Sequence, residues 1–97
     1  MRLKDKVAIV TGAGSGFGEG IAKRFAAEGA KVIVNDLNPG GATRVAAEIT
    51  DRGDLAEVCV GDVSKDTDVA ALVRFAEQVY GRIDIVVNNA GISHRNQ

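Results

Sequence analysis

A three-layer α/β sandwich, with a parallel sheet between two layers of helices, is the fold class the sequence predicts, and three observations predict it. Short apolar runs rich in β-branched residues alternate with longer stretches whose apolar positions recur at helical spacing. The runs are continuous rather than alternating, as in strands buried on both faces. Their connections are short, with no low-complexity stretch or internal repeat to mark a boundary, so residues 1–97 read as one domain.

Val7-Ala8-Ile9-Val10 is the first strand, ended by Thr11-Gly12. Phe17, Ile21, Ala22, Phe25 and Ala26 then keep a helical period, with Glu19, Lys23, Arg24 and Glu28 between them and Gly29 as the stop. Lys31-Val32-Ile33-Val34-Asn35-Asp36 is the second strand. Asn38-Pro39 offers an N-cap with proline just inside the next helix, which should bury Ala42, Val45, Ala46 and Ile49 and end at Arg52-Gly53. Glu57-Val58-Cys59-Val60 gives a third strand running into Gly61-Asp62-Val63. Ser64 is the candidate cap of a longer helix with Val69, Leu72, Val73, Ala76, Val79 and Tyr80 on its apolar stripe, stopped by Gly81. Residues 83–87 form a fourth strand that delivers Asn88-Asn89-Ala90-Gly91. Right-handed crossovers then give the strand order 3-2-1-4, with the first two helices on one face and the third on the other. Its switch point lies between the first and fourth strands, where such sheets bind ligands.

A length of 97 residues, 45% hydrophobic and 26% charged, suits one small domain with a modest core. The net charge of -1, spread along the chain without a basic stripe, argues against nucleic acid and membrane surfaces and for a small molecule or another protein as partner. Cys59, the single cysteine, can build neither a disulfide framework nor a metal cluster, and reads as a small buried hydrophobe. The start lacks the apolar region of a signal peptide and no run reaches membrane-spanning length, so a cytoplasmic protein is expected.

The strongest chemical signal is Thr11-Gly12-Ala13-Gly14-Ser15-Gly16-Phe17-Gly18, set between a buried strand and an amphipathic helix. Glycines let the backbone approach a pyrophosphate, and the helix N-terminus offers N–H groups and partial positive charge. Gly12, Gly14, Ser15, Gly16, Phe17 and Gly18 are therefore candidate cofactor-binding residues, and Gly16→Val should abolish dinucleotide binding by collision with cofactor or helix packing and by resisting positive φ. Asp36, about twenty residues beyond the turn at a strand end, is placed to accept hydrogen bonds from ribose hydroxyls. No cation occurs in Asn35-Asp36-Leu37-Asn38 to neutralise a 2′-phosphate there, which argues for NAD(H) over NADP(H). At an effective dielectric of ~20 and ~4 Å, repulsion costs on the order of 4 kcal/mol per pair of unit charges before salt screening.

Together these positions resemble the short-chain dehydrogenase/reductase family. Thr11-Gly12-x-x-x-Gly16-x-Gly18 is similar to its TGxxxGxG signature, and Asn88-Asn89-Ala90-Gly91 to its NNAG signature, with Asp62-Val63 between them. The resemblance covers essentially the whole chain and implies a Rossmann-type sandwich and an NAD(H)-dependent oxidoreductase that moves hydride between nicotinamide and an alcohol or ketone. It also implies that Asp62 bonds the adenine amino group, that Val63 lines the adenine pocket and that Asn89 offers its backbone to the adenosine ribose. Ala90 and Gly91 would run beneath the cofactor.

The departures are as informative. Family members are usually more than twice this length, with a serine and a Tyr-x-x-x-Lys motif beyond the NNAG segment, so this is an incomplete nucleotide-binding domain relative to the family. No catalytic residue is assigned within it: Tyr80 is followed by Asp84 instead of lysine and reads as a packing residue, and His94 as a solvated loop residue. The absent part would supply proton transfer, and the chain is expected to associate with it or as a homo-oligomer. A non-catalytic dinucleotide-binding module is the alternative; an S-adenosylmethionine-dependent methyltransferase would share the glycine turn but has no call for the NNAG segment. A downstream Tyr-x-x-x-Lys pair separates the enzyme from the module.

Overall fold

The computed structural model describes residues 2–90. In order, β1 (Val7–Val10), α1 (Gly16–Ala27), β2 (Lys31–Asp36), α2 (Pro39–Asp51), β3 (Leu55–Val60), α3 (Asp66–Tyr80) and β4 (Ile85–Val87) follow one another. All strand pairs are parallel and the order is β3-β2-β1-β4, as the sequence predicts. β1 is buried along its whole length because β2 and β4 flank it and helices cover both faces.

Alternation of side chains along the strands sends Ala8, Val10, Val32 and Val34 into one layer with α1 and α2, while Ile9 and Ile33 face α3. The α1/α2 layer buries Ala22 and Ala26 from α1, and Ala42, Val45, Ala46 and Ile49 from α2. Asn38 caps α2 as expected: its Oδ1 accepts from the N–H groups of Gly40 (3.0 Å) and Gly41 (3.4 Å), and Pro39 begins the helix.

Four local expectations are corrected. Phe17 is not on the apolar stripe of α1 but 86% exposed. The inward position of that first turn belongs to Gly18, where a Cβ would lie 2.0 Å from the Gly12 carbonyl oxygen, so no side chain fits. Ser64 does not cap α3, because its N–H (2.9 Å) and hydroxyl (2.7 Å) both donate to Asp62 Oδ1 and the helix begins after Lys65. On α3 only Leu72 and Ala76 are buried; Val69, Val73 and Val79 flank the narrow contact with Ile9 and Ile33 and stay partly in solvent. Cys59, on the edge strand β3, is half-buried rather than fully buried.

β3 starts two residues earlier than expected, at Leu55, and β4 two residues later, at Ile85. Asp84 explains the second shift. Its N–H donates to the Val7 carbonyl (2.9 Å) while its Oδ2 accepts from the Val7 N–H (2.9 Å), so a side chain takes the place of a ladder bond. Among the described residues β4 is an edge strand, with Val86 61% exposed. No helix of the described residues is long and apolar enough to cross a membrane.

Candidate functional site: the carboxyl edge of the sheet

In a parallel sheet every strand presents its carboxyl end on the same side, so the segments that follow β1, β2, β3 and β4 converge there. These are Thr11 to Gly18, Asp36, Gly61 to Val63, and Asn88 to Ala90. The candidate residues of the sequence are thus brought to one edge, except Gly91, which with His94 lies outside the described residues.

The glycine turn is tied on three sides. Ala13 N–H donates to the Asn35 carbonyl (2.8 Å), and Gly14 N–H to Asp36 Oδ2 (2.8 Å). Asn89, buried at the end of β4, donates from Nδ2 to the Gly12 carbonyl (3.2 Å). Thr11 closes the switch point between β1 and β4: its N–H donates to the Val87 carbonyl (3.0 Å), and its hydroxyl accepts from the Ala90 N–H (3.1 Å) and lies 3.3 Å from both the Val87 carbonyl and Asn88 Oδ1.

The two neighbouring helix starts differ in kind. α2 is capped by Asn38, whereas the Ser15 hydroxyl makes no cap bond to α1. The first-turn N–H groups of α1 therefore receive no side-chain oxygen from their own cap, which is the condition for holding an anion. Gly16 has φ of 59° and nothing lies within 4 Å of where its Cβ would stand. The expected collision of Gly16→Val with helix packing is accordingly absent; the cost is the left-handed backbone and loss of the open space above the turn. The residues fit a pyrophosphate: an uncapped helix start, open room above a glycine, and exposed Ser15 beside it.

Asp36 is half-buried and uses both oxygens locally, Oδ2 on Gly14 and Oδ1 on the Asn38 N–H (2.9 Å). A carboxylate has about four lone-pair sites, so it retains acceptor capacity for ribose hydroxyls. At the end of β3, Asp62 takes both Ser64 bonds on Oδ1, and its own N–H donates to Asp68 Oδ2 (2.8 Å). Val63 is half-buried against the α3 layer.

Four contributors escaped sequence reasoning. Thr11 was visible only as part of a motif. Asn35 bonds the Cys59 carbonyl (2.9 Å) through Nδ2, and Asp68 fixes the Asp62 backbone from one turn into α3. Arg44 donates from Nη2 to the Gly14 carbonyl (3.3 Å) across thirty residues. No local signal marks the last three, since each is an ordinary polar residue until the fold sets it beside a turn.

Tyr80 behaves as the packing residue expected. Burial, with a smaller push from Glu57, raises its phenol to about 12, the wrong direction for proton transfer near neutral pH. Its ring packs on the α3 layer, with the Lys31 ammonium 5.9 Å from its centroid.

Residues 6–97 match the family described as short chain dehydrogenase. The chain is 45% identical over 91 residues to the 7alpha-hydroxysteroid dehydrogenase of Escherichia coli (strain K12), covering 94% of this chain and 36% of that protein. It resembles the structure of a 7 alpha-hydroxysteroid dehydrogenase complexed with NADH and 7-oxo glycochenodeoxycholic acid, with a TM-score of 0.88 and 44% identity over 90% of this chain and 34% of that one. A 3-ketoacyl-(acyl-carrier-protein) reductase from Brucella melitensis, complexed with NADH, is 52% identical with a TM-score of 0.81, covering 87% of this chain and 33% of that one. The chain thus spans about a third of the length of such relatives. With the glycine turn and Asn88 to Ala90 at the carboxyl edge of a β3-β2-β1-β4 sheet and the family match running over residues 6–97, this chain belongs to the short-chain dehydrogenase family.

Proposed function

We propose that the chain is the dinucleotide-binding part of an oxidoreductase that transfers hydride between nicotinamide and an alcohol or ketone, with NAD(H) preferred over NADP(H). The observation that supports it most is the pairing of an uncapped α1 start with Asp36, joined through the Gly14 N–H. The first-turn N–H groups of α1 hold the pyrophosphate, and the half-buried Asp36 carboxylate accepts from the adenosine ribose. Asp62 and Val63 receive the adenine, Asn89 offers its backbone to the adenosine ribose and Ala90 runs beneath the cofactor, the last two positioned by Gly12 and Thr11. The bound nicotinamide supplies the hydride chemistry. Proton transfer is assigned to groups other than Tyr80, whose phenol is held near 12 by burial.

The test is a titration of NADH and NADPH against the wild type and Asp36→Ala. NADH should bind the wild type at least about tenfold more tightly than NADPH, a difference of about 1.4 kcal/mol, and the mutation should narrow that gap. Equal affinities in the wild type would overturn the cofactor preference.

A further inference from the structure

Arg44 belongs to no sequence motif, yet its guanidinium touches the same glycine that Asp36 touches. Nη2 donates to the Gly14 carbonyl (3.3 Å), and the Gly14 N–H donates to Asp36 Oδ2 (2.8 Å). A single residue therefore separates a cation from the carboxylate assigned to the ribose. That cation is already engaged: Nη2 donates to Glu19 Oε1 (2.7 Å), and Nη1 to Glu19 Oε2 (3.1 Å) and Glu48 Oε2 (3.0 Å). Lys23 bonds the same two carboxylates, so two anions from α1 and α2 balance two cations. Arg44 is 47% exposed, and its long side chain can leave this cluster without unpacking the core.

Resting on the dinucleotide reading above, we infer that Arg44 is a latent ligand for a 2′-phosphate and that Glu19 and Glu48, by clamping it, are specificity-determining residues acting together with Asp36. Guanidinium forks match phosphate as well as carboxylate. An arginine with four of its five N–H donors committed, inside a cluster whose charges cancel, offers a phosphate little. Selectivity is a difference between two affinities and is built partly from what is withheld from the wrong ligand. Asp36 repels the extra phosphate, and the clamp keeps occupied the cation that shares Gly14 with it. Removal of Asp36 alone lifts the repulsion without releasing any attraction.

The experiment titrates NADH and NADPH, by cofactor fluorescence, against four forms of the purified full-length protein. These are the wild type, Asp36→Ala, that variant with Glu19→Gln and Glu48→Gln added, and the same triple variant with Arg44→Ala. The triple variant should bind NADPH about tenfold more tightly than Asp36→Ala, as one added charge-assisted contact implies. NADH affinity should move less than about threefold. The gain should vanish with Arg44→Ala; a gain that survives would belong to Lys23 and overturn the assignment. Unchanged NADPH affinity between Asp36→Ala and the triple variant would overturn the inference while leaving the dinucleotide reading intact. A wild type that binds neither cofactor would overturn that reading and the inference with it. Circular dichroism checks each fold, and if the triple variant is not native, Asp36→Ala with Glu48→Gln alone is read by the same criteria.

Discussion

The two faces of the sheet are finished to different degrees. On one, α1 and α2 lie side by side over β1, β2 and β3, and the core runs from Ala8 through Val34 to Ile49 without an exposed large side chain inside it. On the other, α3 alone rests on Ile9 and Ile33, leaving Val69, Val73 and Val79 partly in solvent and Val86 of β4 open. The polar groups follow the same division. Glu19, Lys23, Arg44 and Glu48 link α1 to α2 in one ion-pair cluster, while α3 carries no ion pair to another element among the described residues. The difference teaches that the glycine turn stands on the completed side, where its neighbours are fixed from both ends.

The hardest test of that completed side is Gly18→Val. Its Cβ would meet Gly12 oxygen at 2.0 Å and Asn89 Nδ2 at 2.7 Å, atoms of the backbone and of the β4 end that cannot both retreat. A loss of about 3 kcal/mol or more is expected, read from denaturant midpoints; a near-neutral variant would show that the turn is looser than its packing. Next come two truncations that compare the faces directly. Ile49→Ala should cost about 3–4 kcal/mol and Leu72→Ala about 2–3 kcal/mol, because water reaches the α3 side more readily. Reversal of that order in urea unfolding would break the comparison.

A smaller effect is set by pH. The Arg44 guanidinium, and then the Lys23 ammonium, hold the Glu19 carboxyl at about 2, below its ordinary 4.5. A carboxylate depressed in the folded state contributes stability that is fully present above about 4.5 and is lost as pH falls through about 2. The stability difference between wild type and Glu19→Gln should therefore shrink over that window; a difference that grows on acidification would contradict the assignment. The smallest change in folding is expected at the open edge. Val86→Lys should alter stability by no more than about 0.5 kcal/mol, yet reduce concentration-dependent association in sedimentation, because a charge on an edge strand opposes pairing. Identical sedimentation of both forms would remove this edge as the site of association.

The uneven finish also explains what was legible in the sequence. Ala42, Val45, Ala46 and Ile49 were read correctly because α2 lies on a complete layer, so periodicity and burial coincide. The same period on α3 overstated burial at Val69, Val73 and Val79, since periodicity reports which side faces inward and not how much surface is there to meet it. Asp36 and the glycine turn were visible because their chemistry is local to a strand end. Phe17 misled because an apolar residue at helical spacing says nothing of a backbone packed too closely to admit it. Ser64 was a fair cap until Asp62 claimed its hydroxyl. Arg44 was invisible for a different reason: its position on α2 is that of any solvated cation, and only tertiary structure brings it to Gly14.

The reciprocal bonds between Asp84 and Val7 join residues 77 apart in the chain. Loop-closure entropy must be met before such a contact returns anything, so sheets with distant partners form slowly. β2 and its helices can assemble against β1 as soon as about half the chain has emerged, but the second flank of β1 has no partner until residues 84–87 exist. Nascent chains therefore pass through a stage in which one side of the fully buried strand is unpaired, the stage at which misassembly competes with folding. Asp84, bonded to the first N–H of β1, marks where that late pairing begins and fixes the register of β4 against it.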